Sequence, residues 1–161
     1  MIERDQIKIY TDGAAKGNPG KAGWGAVFLF GKEIFEIGGR AEHATNNQME
    51  LTAPIEALKY IKELSARVVL AGDIEIVSDS KYVILGITEW IFNWQKNNWR
   101  NAAKKPVLNR ELWEELYKLT EELKPKWTYV KGHNGDEHNE QADLIATSFA
   151  EGTPVELRNK K

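Results

Sequence analysis

Apolar and polar side chains alternate from Ile7 to Thr11, the period of a half-buried strand, and the alternation stops where Asp12 meets the turn-forming run Gly13 to Gly20. An acid is thus expected at a strand tip, beside a loop that Gly17, Pro19 and Gly20 keep low. Gly23 to Phe30 and Glu33 to Gly39 are two apolar-rich runs joined at Phe30-Gly31-Lys32, which predicts a hairpin and, with the first strand, an antiparallel meander. From Thr45 the period becomes helical, with Glu50, Pro54, Ala57, Leu58, Ile61 and Leu64 on one stripe and Thr45 or Asn46 as the cap. Pro54 removes the hydrogen bond that the Glu50 carbonyl would accept, so a kink is expected beside Glu50.

Asp73 to Ser78 predicts another strand, again followed by an acid, Asp79, and then a short helix over Ser80 to Ile87. Between Trp90 and Arg110 the chain has Lys96, Arg100, Lys104, Lys105 and Arg110 but no acid, interleaved with Trp90, Trp94 and Trp99. Leu112, Trp113, Leu116, Tyr117 and Leu123 follow as an amphipathic helix capped by Asn109 and ended by Lys124-Pro125. Lys126 to Lys131 reads as a last strand, Gly132 to His138 as a polar loop, Asn139 to Ala150 as a helix bearing Asp143, and Gly152 to Lys161 as a frayed polar tail. Strands first and then strand and helix in alternation predict an α/β fold with a mixed sheet. If a helix joins the strands leading to Asp12 and Asp79 as parallel neighbours, both acids lie at carboxyl ends, where such sheets bind ligands.

The length of 161 residues fits one domain, and 42% hydrophobic with 29% charged residues excludes wholesale disorder. The net charge of −2 gives no global pull toward nucleic acid, so such binding needs a local basic patch. No run has the length of a membrane-spanning helix, and Met-Ile-Glu-Arg-Asp lacks the features of a signal peptide, so a cytoplasmic protein without membrane partners is expected. No exposed apolar stripe is left over once the core helices are assigned, which predicts a monomer. Zero cysteines exclude disulfides and thiolate metal sites.

The glycine-rich opening fails as a phosphate loop, because Ala15 stands where the first glycine before Gly20-Lys21 should be and Ala22 where a serine or threonine should be. The dinucleotide pattern fails at Phe28. No serine lies in a nucleophile elbow. What remains is a set of carboxylates, Asp12, Glu50, Asp79 and Asp143, each at an expected strand end or near a helix start. Gathered unpaired they would cost several kcal/mol, so gathering implies a compensating charge, and oxygen-only ligands suit Mg²⁺ or Mn²⁺. The plain alternative is four unrelated surface acids among 24, and placement alone leaves both readings open.

Thr11-Asp12-Gly13 with Gly17-Asn18-Pro19-Gly20, Thr45-Asn46-Asn47-Gln48-Met49-Glu50-Leu51, Ser78-Asp79-Ser80, Lys131-Gly132-His133-Asn134-Gly135 and Asn139-Glu140-Gln141-Ala142-Asp143 come in the order of the blocks of type 1 ribonuclease H. The chain resembles that family from about Ile7 to Ala150. The resemblance implies a ribonuclease H-like fold, a five-stranded mixed sheet with helices on both faces, as a catalytic domain over residues 1–151 with a polar tail over 152–161. It implies an endoribonuclease that cuts the RNA strand of RNA/DNA hybrids with two Mg²⁺ ions, for which Mn²⁺ can substitute, leaving 5′-phosphate and 3′-hydroxyl ends and needing no small-molecule cofactor. Carried over residue by residue, Asp12, Glu50, Asp79 and Asp143 become the metal ligands, and His133 in a mobile loop becomes the proton or product-release helper. Asn18, Asn46 and Asn47 resemble the residues that read minor-groove base edges and ribose 2′-hydroxyls, and Thr45 and Asn109 resemble a pocket for a phosphate of the DNA strand. Trp90, Trp94, Lys96, Trp99, Arg100, Lys104 and Lys105 resemble the family's basic protrusion, although Trp90 and Trp94 at helical spacing equally suit a core.

Three departures bear on substrate grip. Gln95, Asn97 and Asn98 dilute the protrusion's charge, His43 stands where an arginine often supports the phosphate pocket, and Lys81 stands where a glutamine often follows the Asp-Ser pair. The competing readings are another two-metal nuclease such as a junction resolvase, a catalytically idle hybrid-binding module, and a nucleotide-binding switch. The short chain and the asparagines oppose the first, the presence of all four acids the second, and the failed phosphate loops the third.

Overall fold

The computed structural model describes residues 6–66 and 73–158, so the N-terminal residues Met1 to Asp5 and the last three of the expected tail lie outside the described residues. The sheet is built from β1 (Ile7–Ala15), β2 (Gly20–Phe30), β3 (Glu33–Ala44), β4 (Ile74–Ser78) and β5 (Lys126–Tyr129), in the order β3-β2-β1-β4-β5. The first three strands pair antiparallel, whereas β4 runs parallel to β1 and β5 parallel to β4. The helices are α1 (Asn46–Ser65), α2 (Lys81–Leu85), α3 (Ile91–Lys96), α4 (Arg110–Leu123) and α5 (Glu137–Glu151), and a π-helical turn, Gly86–Trp90, joins α2 to α3.

The period-two pattern divides the sheet between two cores. Ile7 and Ile9 of β1 pack with Phe28, with Leu51, Ile55 and Leu58 of α1, and with Trp113 and Leu116 of α4. Tyr10, between them in sequence, packs with Val27 and Val77 against Ala142 and Ile145 of α5. Helices therefore cover both faces, as the resemblance implies. A Cβ at Gly13 would collide with the backbone at Met49 and Glu50, so the glycine lets α1 lie directly on the end of β1.

Several boundaries differ from expectation. The first strand does not stop at Asp12 but continues to Ala15, because its antiparallel partner β2 goes on pairing from Asp12 opposite Gly25 to Ala15 opposite Ala22. Asp12 is a strand tip only toward β4, where the parallel pairing ends at Thr11 opposite Ser78. The strand expected over Glu33 to Gly39 extends to Ala44 for the same reason, pairing as far as Gly20. The short helix after Asp79 continues through the π turn to Lys96, so Trp90 and Trp94 lie on helical structure. Helix α1 runs continuously from Asn46 to Ser65 with Pro54 buried inside it. Asn109 precedes α4 in a left-handed conformation, φ 61°, and makes no side-chain cap. The tail is not frayed over its described part. Val155 and Leu157 pack on the α5-side core, and the Arg158 guanidinium contacts the fully buried Glu36 of β3 at 2.6 Å. The Glu36 N–H also donates to the Arg158 carbonyl at 2.8 Å, which covers part of the open edge of β3.

Candidate active site

The two parallel strands β1 and β4 deliver Asp12 and Asp79 one residue beyond their last shared pair, and the first turns of α1 bring Glu50 alongside. One carboxylate oxygen from each of Asp12, Glu50 and Asp79 lies within 4.8 Å of the others. Thr45 caps α1 by a reciprocal pair of bonds with Gln48, accepting from the Gln48 N–H at 3.1 Å while its own N–H donates to Gln48 Oε1 at 2.8 Å. That cap fixes the turn from which Glu50 projects.

Asp12 is 5% exposed and Glu50 9% exposed, whereas Asp79 is half-buried. Burial, then the charges of Glu50 and Asp79, push the Asp12 carboxyl up to about 10. Burial, then the charge of Asp79, push Glu50 up to about 8. Asp79 is raised by burial as well, and the hydrogen bond from Asn139 and the charge of His133 act in the opposite direction. The Gly13 N–H donates to Asp12 Oδ1 at 2.9 Å, yet Glu50 Oε1 is buried with no hydrogen-bond partner among the described residues. Three acids this close and this dry must either hold protons or share a cation. Hard oxygen donors alone fit Mg²⁺ or Mn²⁺, and the orphaned Glu50 oxygen fits a ligand role.

Asp143, on α5, is half-buried and stands outside that trio, but its charge raises all three members. His133 is exposed, in a left-handed conformation with φ 55°, on the loop between β5 and α5. Asn139 is absent from the candidate site residues read from the sequence, where it starts a helix and opens the block that ends in Asp143 but is given no role. It is 2% exposed, and its amide donates to Asp79 Oδ2 at 3.4 Å. The available signal was its position four residues before Asp143, which puts the two on one helical face.

A family profile described as RNase H matches residues 4–151. The chain belongs to the RNase H family. Ribonuclease H of Thermosynechococcus vestitus is 49% identical over 151 residues, spanning 93% of this chain and 92% of the relative. RNase H1 of the halophilic archaeon Halobacterium salinarum is similar in structure with a TM-score of 0.65 at 27% identity, covering 91% of this chain and 98% of that one. LC11-RNase H1, solved in complex with an RNA/DNA hybrid, shares the fold with a TM-score of 0.69 at 24% identity, covering 91% and 97%. The chain is thus a hydrolase of a nuclease family, and the acid trio lies in its matched region.

The candidate substrate residues fall into separate groups. The side chain of Asn18, in the loop between β1 and β2, accepts from the Asn46 N–H at 2.9 Å, which ties that loop to the start of α1. Asn47 and Asn109 line a cavity of about 180 Å³ with Tyr82, Trp94 and Trp113, whereas Thr45 is not on its wall. Asn109 Nδ2 donates to the Tyr82 hydroxyl at 3.1 Å, and its left-handed backbone, not the extended one a cap needs, leaves α4 without a side-chain cap from it. Trp94 packs edge-on to the buried Trp113 with 5.2 Å between ring centroids, a core contact, and Trp99 lies beneath Arg110 at 5.0 Å. Trp90 is more open and, with Trp94 and Arg100, lines a second cavity of about 410 Å³. Lys96, Lys104 and Lys105 are exposed, and Arg100 donates to the Lys104 carbonyl at 3.0 Å, closing the basic loop on itself. His43 is exposed, and Lys81 lies 5.7 Å from the Tyr129 ring.

Proposed function

We propose that the chain hydrolyses the RNA strand of RNA/DNA hybrids with two divalent cations, Mg²⁺ by preference and Mn²⁺ in its place, leaving 5′-phosphate and 3′-hydroxyl ends. The observation that carries this reading is the trio Asp12, Glu50 and Asp79, with oxygens within 4.8 Å and one Glu50 oxygen buried and unpartnered among the described residues. These three residues, with Asp143 beside them, would hold the ions. Bound there, a cation pair supplies an activated water and stabilises the leaving 3′ oxygen.

This chain's own groups do the rest. Burial and neighbouring charge push Asp12 up to about 10 and Glu50 up to about 8 and raise Asp79 in the same direction, so positive charge arriving at the site would favour their ionised forms and a bound cation. His133 on its exposed loop can reach toward Asp79 and move a proton or help a product leave. Asn18, Asn46 and Asn47 lie where β1, β2 and α1 meet and would test for ribose 2′-hydroxyls, the group that separates RNA from DNA. Asn109, with Thr45 two residues before Asn47, would grip a phosphate of the DNA strand. Lys96, Arg100, Lys104 and Lys105, with Trp90 and Trp99, would meet further DNA phosphates and a sugar, while Trp94 serves mainly as packing. The reading includes a cytoplasmic monomer whose catalytic domain spans residues 1–151. It is supported by family membership and by a relative in fold that holds a hybrid.

The test is cleavage of an end-labelled RNA strand paired to DNA, beside RNA/RNA and DNA/DNA duplexes, with Mg²⁺ or EDTA. Cutting confined to the hybrid, dependent on Mg²⁺ and leaving ends that a ligase joins without prior phosphorylation, is the expected result. Binding of the hybrid without cutting under any cation would replace this reading by the binding-module one.

A further inference from the structure

Asp79 is held from outside the acid trio by groups that no metal requirement explains on its own. We propose that Asn139 is a positioning residue for the metal-binding carboxylates: its amide fixes one oxygen of Asp79 so that the other is presented to a divalent cation. This inference rests on the cation reading of the site.

Asn139 is the third residue of α5 and is 2% exposed. Its backbone N–H donates to the Asp136 cap at 3.1 Å, so the residue is anchored at the main chain before its side chain reaches Asp79 Oδ2 at 3.4 Å. The opposite orientation of the amide would set two acceptors against each other, so the NH₂ group must face the carboxylate. At 3.4 Å the bond is long, with room to shorten as the site fills. A Cβ at Gly132 would come within 2.7 Å of the same Asp79 oxygen, so the loop backbone walls that oxygen from another direction. Together the amide and the loop leave Asp79 little freedom to turn.

The other end of the amide argues against a purely structural role. Asn139 Oδ1 is buried and has no hydrogen-bond partner among the described residues, a condition that costs about 1–3 kcal/mol. A leucine has the same branched skeleton and carries no polar atom to leave unpaired. What leucine cannot do is donate to Asp79. Groups one shell out from a metal typically change its affinity 10–100-fold when removed, and Asn139 occupies such a place here.

The experiment compares wild type with Asn139→Leu in three measurements: Mn²⁺ titration followed by electron paramagnetic resonance, thermal unfolding in EDTA, and hybrid cleavage as a function of Mg²⁺ concentration. The leucine variant is expected to unfold at or above the wild-type temperature and to bind Mn²⁺ about tenfold more weakly. Its half-maximal Mg²⁺ concentration should rise by the same factor with KM for the hybrid unchanged, a split that a loosened fold does not produce. Wild-type Mn²⁺ affinity in the folded variant overturns the inference alone. A wild-type protein that binds no Mn²⁺ overturns the cation reading and this inference with it. If Asn139→Leu does not fold, the Asn139 side-chain amide protons are followed by NMR in wild type and Asp79→Ala. Loss of a downfield-shifted proton in Asp79→Ala supports the bond, and an unchanged pair of resonances overturns it.

Discussion

Replacing Asp12 by asparagine should stabilise the protein in EDTA while abolishing cleavage. In the folded chain the Asp12 carboxyl is pushed up to about 10 and Glu50 to about 8, from ordinary values of 3.8 and 4.5. A carboxyl raised in this way contributes stability that is fully present below its ordinary value and is lost as pH rises through the folded one. The window for loss therefore runs from about pH 4 to about 8 for Glu50 and to about 10 for Asp12. At pH 7 Asp12 stands about 3 pH units above its ordinary value, which at roughly 1.4 kcal/mol per unit caps its penalty near 4 kcal/mol. Burial and repulsion are shared with Glu50, and asparagine must still be buried, so a gain of about 2 kcal/mol remains.

For a chain of 161 residues that gain is a rise in Tm of about 4–8 °C. The assay is thermal unfolding of wild type and Asp12→Asn in EDTA at pH 5, 7 and 9. The difference should be smallest at pH 5 and widen with pH. Mg²⁺ at ten times its dissociation constant should restore about 1.4 kcal/mol to the wild type and much less to the variant. A variant no more stable than wild type at pH 7, or a difference that does not change between pH 5 and 9, would refute the argument that these acids repel one another in a dry site.

Arg158→Ala should lose about 2–3 kcal/mol in urea unfolding, less than a fully buried pair because the Arg158 side chain is 51% exposed and its backbone N–H still holds Glu36; Glu36→Gln in the same chain should recover part of it. A loss under about 0.5 kcal/mol would mean that the tail is not anchored there. Lys104→Gln with Lys105→Gln should raise KM for the hybrid and lower the slope of log affinity against log salt by about 1 per phosphate contact removed; an unchanged slope would take those lysines off the substrate path. His133→Ala should slow cleavage by roughly 100-fold while leaving Mn²⁺ affinity as it is, and a parallel loss of both would make His133 part of the cation site.

The acids were legible in the sequence because each sits in a short block with its own local punctuation: a strand running into Asp12, a capped helix carrying Glu50, and a second strand running into Asp79. What could not be read locally was set by pairing across the chain. Gly13, Ala14 and Ala15 have the composition of a turn, yet β2 holds them in a strand. Glu36 looks like an ordinary outward-facing residue of an edge strand, and only Arg158, more than a hundred positions later, makes it buried and paired. Asn139 was hidden in the same way, since an asparagine at a helix start is read as a cap until its burial and its contact with Asp79 are seen. The tryptophans divide by packing: Trp94 meets Trp113 inside, and Trp90 keeps an open face. Spacing alone could not separate those two.

The most direct test of the account is anomalous diffraction from crystals of the Asp79→Asn protein and of wild type grown with Mn²⁺ and a short RNA/DNA hybrid. Mn²⁺ peaks are expected in the wild type against the carboxylates of Asp12, Glu50 and Asp79, beside a phosphate of the RNA strand, with weakened peaks in Asp79→Asn. A wild-type crystal whose hybrid lies on the basic loop, with no Mn²⁺ among those three acids while the same preparation cuts RNA in solution, would contradict it.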